Sequence, residues 1–519
     1  MSKRPKIGAF VLETLTTGMY TAPLDALREY VQNSFDAIRQ AEREKLIRPG
    51  EGRIDIDIDS AGRSVRIRDN GVGISAATAV ERLTDIGLSN KSLDTDVGFR
   101  GIGRLAGIAY CDALFFRTSA ADEAEGATVL MSSSELRKAM CHRVREPREL
   151  SDVLSAHSAE ERFEAKKSEH YFEVELSGVA ESGADFLRGD LMEEYLSQVV
   201  PVAFDAQRFW YAKKITDWAS NAGLELPQVT VIIRGDTERQ VFKPYKNHYK
   251  TRHKGKEFPF DIEDVIFWPE NPGPASPYWI WYGKTPLLGA ILDEQAAGFR
   301  LRRSNMAIGT SEPARELFAA TGVDALTPSN KRFNDWYVGE IHVQSPDVVP
   351  NARRDGFEDN AAWMSLKADL GTFFKQRVGE TRALSRDRNR PTAKVIAAAK
   401  STLDRTKRQL TSGLASKEQR EELVEKVDKE EKKLTKALEA RQSEADVELL
   451  EPIHRELLAV RETLERTDSF ALKKLRSSLD RKQRNLLKRV LGILHNVLDE
   501  ENFDKAQDAI LSHFEVSEL

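Results

Sequence analysis

Glu29 and Asn33 are the first residues in this chain whose types and spacing could do chemistry. They lie in the stretch Thr21 to Gln40, where Leu24, Leu27, Val31, Phe35 and Ile38 recur at three- and four-residue steps. That spacing predicts a helix, and a polar pair four residues apart projects from one side of it. A carboxylate there can orient and deprotonate a water. An amide oxygen beside it can ligate Mg2+ while its NH2 group reaches a phosphate. Asp36, one turn on from Asn33, can support the metal's water shell. Taken alone, such residues also suit any exposed helix face.

Two further motifs follow. Asp69-Asn70-Gly71-Val72-Gly73 comes after an alternating, strand-like segment. A carboxylate at a strand end can accept the amino proton of a purine, and glycines let the backbone pass close to the ring. A tight turn is the plainer reading of the same residues. The run Gly98-Phe99-Arg100-Gly101-Ile102-Gly103 then leads into an apolar stretch. Its glycines can aim several N–H groups at one anion, and a following helix N-terminus would add its dipole. Arg100, Arg104 and Lys91 can add positive charge, or pair with acids. Gly101-x-Gly103-x-x-Ala106 also satisfies a dinucleotide-loop spacing, but the polar segment Ser89 to Asp96 stands where a buried strand is required. In this order, the three motifs describe a pocket for a magnesium nucleotide.

The elements that must position them change along the chain. At 519 residues, with 40% hydrophobic content, several domains are expected. Ile54-Asp-Ile-Asp-Ile58 and Val65-Arg-Ile67 alternate as strands around a turn at Ser60-Ala61-Gly62. The alternation explains the aspartates of the first strand better than a metal site does. Trp279, Trp281, Trp336 and Trp363 can anchor the core of a mixed α/β region. Beyond residue 395 glycine and proline become rare and charge rises, so long helices are expected. Leu403, Leu410, Val427 and Leu434 give a broken seven-residue pattern there. A stronger stripe runs through Leu472, Leu475, Leu479, Leu486, Val490, Ile493 and Val497. The expected division is 1–180, 185–380 and 395–519. Two cysteines give no disulfide framework and no zinc pair. No apolar run is long enough to span a membrane and no signal segment opens the chain, so a cytoplasmic protein is expected.

With the intervening sequence Arg28-Glu-Tyr-Val-Gln-Asn-Ser-Phe-Asp-Ala37, the three motifs resemble the nucleotide-binding motifs of the GHKL ATPases. That superfamily includes DNA gyrase B, heat-shock-protein-90 chaperones, histidine kinases and MutL, with MORC proteins nearby. The resemblance implies a Bergerat-type α/β (α+β) sandwich that binds ATP with Mg2+. Glu29 would be the general base, Asn33 the Mg2+ ligand and Asp69 the adenine reader. Gly71 and Gly73 would shape the base pocket. Lys91, Gly98, Arg100, Gly101, Ile102 and Gly103 would belong to the phosphate lid, with Asp36 supporting the metal. The family's adenine-side threonine has no clear counterpart: His170 or Phe172 stands at the expected place, with Thr128 as a substitute. Pro350-Asn351-Ala352-Arg353-Arg354-Asp355 resembles the middle-domain loop of heat-shock-protein-90 chaperones, where an arginine reaches the γ-phosphate. Arg354 is the better match and Arg353 the second. Gly298 to Arg303 resembles a strand of that domain. The implied architecture is thus the sandwich, a mixed α/β middle domain and an all-α helical or coiled-coil tail.

Three function classes compete. One is an ATP-driven clamp, a homodimer that acts on a protein client or complex. A second is a nucleic-acid-binding ATPase of the MORC or MutL kind, for which phage defence would be one setting. Its support is the basic, aromatic-interleaved segment 243–256, although the chain as a whole carries a formal charge of −5. The third is a nucleotide sensor that does not hydrolyse.

Overall fold

A computed structural model describes residues 7–16, 18–20, 22–87, 101, 103–140, 148–253, 256–309, 314, 315, 317, 328–389, 391–414, 416–439, 444–468 and 500–513, with isolated positions between 483 and 494. They form two compact units, Met1–Thr381 and Arg382–Leu519.

The first unit opens with α1 (Val11–Leu15) and α2 (Pro23–Arg43). Pro23 sits at the start of α2, where its fixed φ suits a helix and its missing N–H costs nothing. Asp25 in the first turn and Arg43 in the last complement the helix dipole. The predicted apolar stripe is the buried face: Leu27, Val31, Phe35 and Ile38 are at most 2% exposed.

That face covers an eight-stranded sheet made of β1 (Arg53–Asp59), β2 (Ser64–Asp69), β3 (Ala113–Ser119), β4 (Glu125–Met131), β5 (Ser158–Glu164), β6 (Tyr171–Ser177), β7 (Thr230–Arg234) and β8 (Glu238–Gln240). Their spatial order is β5-β4-β3-β6-β2-β1-β7-β8. Register lines up one apolar row across six strands: Ile233 opposes Ile56, Ile56 opposes Ile67, Ile67 opposes Val174, Val174 opposes Phe116, and Phe116 opposes Val129. The alternate residues form a charged ladder on the other face. Arg234 bridges Asp55 and Asp57, and Arg66 also meets Asp57. The aspartates of β1 are therefore partners in a charge ladder, as their alternation suggested. Shorter helices complete the covering: α3 (Ala79–Thr84), α4 (Ser133–Met140), α5 (Leu150–Ala156) and α6 (Gly189–Val199). The sheet reaches past the expected boundary at 180, because β7 pairs parallel with β1 and closes that side.

The remainder of this unit holds α7 (Ala212–Asn221), a hairpin of β9 (His248–His253) and β10 (Lys256–Asp261), and a five-stranded sheet. That sheet comprises β11 (Val265–Trp268), β12 (Tyr278–Gly283), β13 (Gly298–Arg303), β14 (Met306–Ala307) and β15 (Val338–Val343), in the order β11-β12-β15-β13-β14. Trp279 and Trp281 are fully buried, Trp363 nearly so and Trp336 partly. Helix α8 (Ala361–Asn389) packs Leu366, Leu370, Phe373 and Phe374 into this core.

In the second unit, α9 (Pro391–Ser412), α10 (Lys417–Glu439) and α11 (Glu444–Glu465) pack as three helices around Leu403, Val427, Leu434, Leu450 and Leu457. α12 (Glu500–His513) follows. Leu472, Leu475, Leu479, Ile493 and Val497 of the predicted stripe lie outside the described residues. Leu486 and Val490 are exposed, whereas Leu487 and Leu491 are buried. The apolar face there is set one residue from the predicted one, because packing selects which leucines turn inward.

Candidate functional site

Helix α2 and the end of β2 build the base end of the site. Asp69 closes β2 at 2% exposure, and its Oδ1 accepts the N–H of Gly71 at 2.9 Å. The turn then lies directly on α2. A Cβ at Gly71 would stand 2.6 Å from the Ala37 Cβ, and Val72 donates its N–H to the Ala37 carbonyl. Gly73 has φ +69, and a Cβ there would come within 1.9 Å of the Ser119 carbonyl oxygen. Both demands, left-handed backbone and close approach, select glycine.

The strand ends beside Asp69 bring a threonine onto its side of the sheet. Asp69 opposes Phe172, and Phe172 opposes Thr118. Thr118 is fully buried on the same sheet face as Asp69. Its hydroxyl accepts the Ile74 N–H at 2.7 Å and donates to the Tyr171 carbonyl at 3.0 Å. Thr128 opposes Arg117, on the charged face, and so does not serve as the substitute. His170 meets the Gly71 carbonyl through Nδ1 at 2.8 Å and holds the turn. Thr118 is a threonine on the Asp69 side of the sheet that sequence reading did not single out. Its signal was the alternation Leu114, Phe116, Thr118, which places it on the apolar face.

At the phosphate end, Lys91, Gly98, Arg100 and Ile102 lie outside the described residues. Gly101 has φ +68. Gly103 opens a 3-10 turn over Gly103–Ala109, where an α-helix was expected. Two glycines in seven residues disfavour the longer helix, and Tyr30 fixes the turn. The Tyr30 hydroxyl accepts the Gly107 N–H at 2.8 Å and donates to the Arg104 carbonyl. Arg104 turns its guanidinium to the Asp85 carbonyl, and burial pushes it down to about 10. The dinucleotide-loop alternative also fails, because β1 and β7 are the one parallel pair among the described strands of a sheet otherwise antiparallel.

Glu29 and Arg354 come together across the unit. Glu29, on α2, lies over Gly103, where a Cβ would come within 2.2 Å of Oε2. Its Oε1 is 3.5 Å from Arg354 Nε. Arg354 is 6% exposed, whereas Arg353 is exposed, so the loop turns the expected arginine inward. The turn depends on a left-handed φ of 57 at Arg354. Burial lowers the Arg354 pKa and Glu29 draws it back up. Asn33 and Asp36 continue the same side of α2, Asp36 at 2% exposure. An amide oxygen and a carboxylate one turn apart, beside a buried carboxylate–guanidinium pair, fit an Mg2+-nucleotide. Arg28, next to Glu29 in sequence, donates its guanidinium to the Ala307 carbonyl.

Segment 243–256 is buried in part and exposed in part. Lys243, Tyr245 and Tyr249 are buried. Lys246 pairs with Asp293, His248 with Asp261, and Lys250 and Arg252 with Glu257. The buried aromatics build core, while Lys250 and Arg252 share one carboxylate and stay exposed. Lys254 lies outside the described residues.

No described helix is long and apolar enough to cross a membrane. Cys111 is a buried thiol, pushed by burial up to about 12, and Cys141 lies outside the described residues. Residues 20–158, from the approach to α2 to the start of β5, match the family described as histidine kinase-, DNA gyrase B- and HSP90-like ATPase.

Proposed function

Because residues 20–158 form an ATP-binding domain of the GHKL type, we propose that the chain binds Mg2+-ATP, hydrolyses it, and uses the cycle as a heat-shock-protein-90-like clamp on a protein client. The observation that carries this reading is the burial of Arg354 against Glu29, across more than 300 residues of sequence. A nucleotide site that only sensed ATP would not need a second cation beside its carboxylate.

In this reading Asp69 accepts the adenine amino proton, and the turn at Gly71 and Gly73 admits the ring. Gly98, Gly101 and Gly103, with Lys91, Arg100 and Ile102, cap the phosphates. Asn33 holds Mg2+ with Asp36 behind it, and the metal screens phosphate charge and helps orient the nucleotide. Glu29 positions the attacking water and takes its proton. Arg354 offers its planar fork to the γ-phosphate as charge develops. A carboxylate and guanidinium already side by side need little rearrangement to share a water and a phosphate.

The division 1–180, 185–380 and 395–519 then becomes a division of labour: nucleotide, transducer and helical tail. The clamp works as a homodimer. Sedimentation with and without a non-hydrolysable ATP analogue reads the assembly; a monomer under both conditions contradicts it. The nucleic-acid alternative keeps the exposed Lys246, Lys250 and Arg252 of segment 243–256 but not its buried Lys243, Tyr245 and Tyr249.

ATP binding and hydrolysis by the wild type and Glu29→Ala test the reading. The variant is expected to bind ATP within about threefold of wild type and to lose turnover by at least about a hundredfold, the scale of general-base catalysis. A wild type that binds ATP without turning it over supports the sensor class instead. A wild type that binds no ATP removes the site.

A further inference from the structure

A second constellation of charge lies away from the nucleotide site, wholly inside the first unit. The Glu340 carboxylate, at the centre of β15, is fully buried. Lys243 Nζ donates to both of its oxygens, at 2.8 and 2.7 Å. The Tyr245 hydroxyl and Trp281 Nε1 each donate at 3.0 Å, His342 Nε2 lies 3.1 Å away, and Arg302 donates to Oε1. Two cations on one carboxylate in the absence of water are costly unless every donor is used. Here the third Lys243 bond goes to Asn305 Oδ1 at 2.7 Å.

Asn305 is what the network holds. It sits at the tip of the β13–β14 hairpin, 1% exposed, with φ 62, next to Ser304 with φ 46. Its Nδ2 donates to the Pro227 carbonyl at 2.8 Å, and its own carbonyl accepts Arg302 at 2.9 Å. Arg302 also donates to the Gln198 carbonyl, on α6. Two consecutive left-handed residues persist only where the surroundings impose them. The next residues enter the core beneath the nucleotide site, where Met306 and Ala307 pack with the α2 face. The Ala307 carbonyl takes Arg28, and the Gly309 N–H donates to the Arg354 carbonyl at 2.6 Å. A hydrogen-bonded run therefore leads from Glu340 through Lys243 and Asn305 to both arginines beside Glu29.

We propose that Asn305, clamped by Lys243 and Glu340, is a positioning residue for hydrolysis: it sets the 305–309 strand that holds Arg354 in its left-handed conformation against Glu29. This rests on the hydrolytic reading above. Asn305 touches neither Glu29 nor Arg354 and acts through the strand alone. The network has no access to solvent, so its role is to transmit geometry and not to bind a ligand.

Asn305→Gly tests it, since glycine keeps the left-handed backbone and removes both amide bonds. The expected result is a fall in ATP kcat of about tenfold, the scale expected when a reacting group is slightly misplaced, with KM unchanged within about twofold. In the Asn305→Gly/Arg354→Ala double variant the losses do not multiply, because both act at one arginine. Losses that multiply, or an unchanged kcat in a folded variant, overturn the proposal. Hydrogen exchange gives a readout that needs no turnover. Asn305→Gly is expected to speed exchange at 306–309 and at 351–355 while β12 and β15 stay protected. Faster exchange confined to the hairpin tip overturns the proposal. This exchange pattern in Asn305→Gly, together with a wild type that shows no ATP turnover, keeps the coupling and discards the hydrolytic reading.

Discussion

Glu29 has neighbours that differ greatly in sequence distance: Asn33 follows one helical turn on, while Gly103 and Arg354 approach its carboxylate from far along the chain. The first could be read from the sequence, since helical spacing is local. Asp69, Gly71 and Gly73 were legible only beside the other motifs, because a strand end followed by glycines reads first as a tight turn. Arg354 was reachable only through resemblance; no local pattern distinguishes it from Arg353. What separates them is a left-handed φ, which depends on contacts made elsewhere. Gly103 carries a sharp expectation. Gly103→Ala would place a Cβ 2.2 Å from the Glu29 carboxylate and push it off the attack position. Steady-state kinetics is expected to show kcat reduced by about tenfold or more with KM little changed, the signature of an interaction used in the transition state. A KM effect alone would contradict this. At Gly73 the penalty falls on stability instead. The left-handed backbone and the 1.9 Å approach to Ser119 together make Gly73→Ala lose more than about 1 kcal/mol, measurable by thermal or urea unfolding.

Among elements, helix α2 and the strands β1 and β2 were legible from periodicity and alternation. The β13–β14 hairpin and segment 243–256 were not. Lys243 sits in a run of cations and aromatics that reads as surface, yet Glu340, 97 residues later, draws it fully inside. Burial of that kind is decided by a distant partner and leaves no local trace. The 3-10 turn after Gly103 escaped for a similar reason, since Tyr30 on another element fixes it. The buried network also makes stability depend on acid pH. Burial lowers His342 from 6.5 to about 4. As pH falls below 6.5 the unfolded histidine takes a proton that the folded one refuses until about 4, so the stability contributed there is lost across that window. Glu340 is pushed up by burial, but Arg302 and Lys243 hold it well below its ordinary value of 4.5, and it adds a further loss below that pH. Thermal unfolding between pH 7 and 4 is expected to show this decline in the first unit, and His342→Gln to flatten its upper part. An unchanged slope in the variant would show that the loss arises elsewhere.

For the whole molecule, the cores divide as the units do. The clusters of the first unit end with residues of α8, and the cluster of the second begins in α9. Nucleotide is therefore expected to raise the unfolding temperature of the first unit and leave that of the helical tail in place. At a hundredfold excess over Kd the gain is about 2.7 kcal/mol, visible by calorimetry as movement of one transition past the other. The helical character of the tail was legible from composition, and Leu403, Leu410, Val427 and Leu434 do turn to its core, but the choice between Leu486 and Leu487 was not legible, since they differ only in what they pack against. The central claim is that an arginine from the later part of the first unit acts on a nucleotide held by the earlier part. Single-turnover ATP hydrolysis by Arg354→Ala and Arg353→Ala, at saturating nucleotide and with binding measured on the same samples, tests it most directly. The account predicts that Arg354→Ala binds ATP but slows the chemical step by at least about a hundredfold, towards the range of arginine fingers, while Arg353→Ala behaves as wild type. Equal rates in the two variants, or a loss in Arg353→Ala alone, would contradict it.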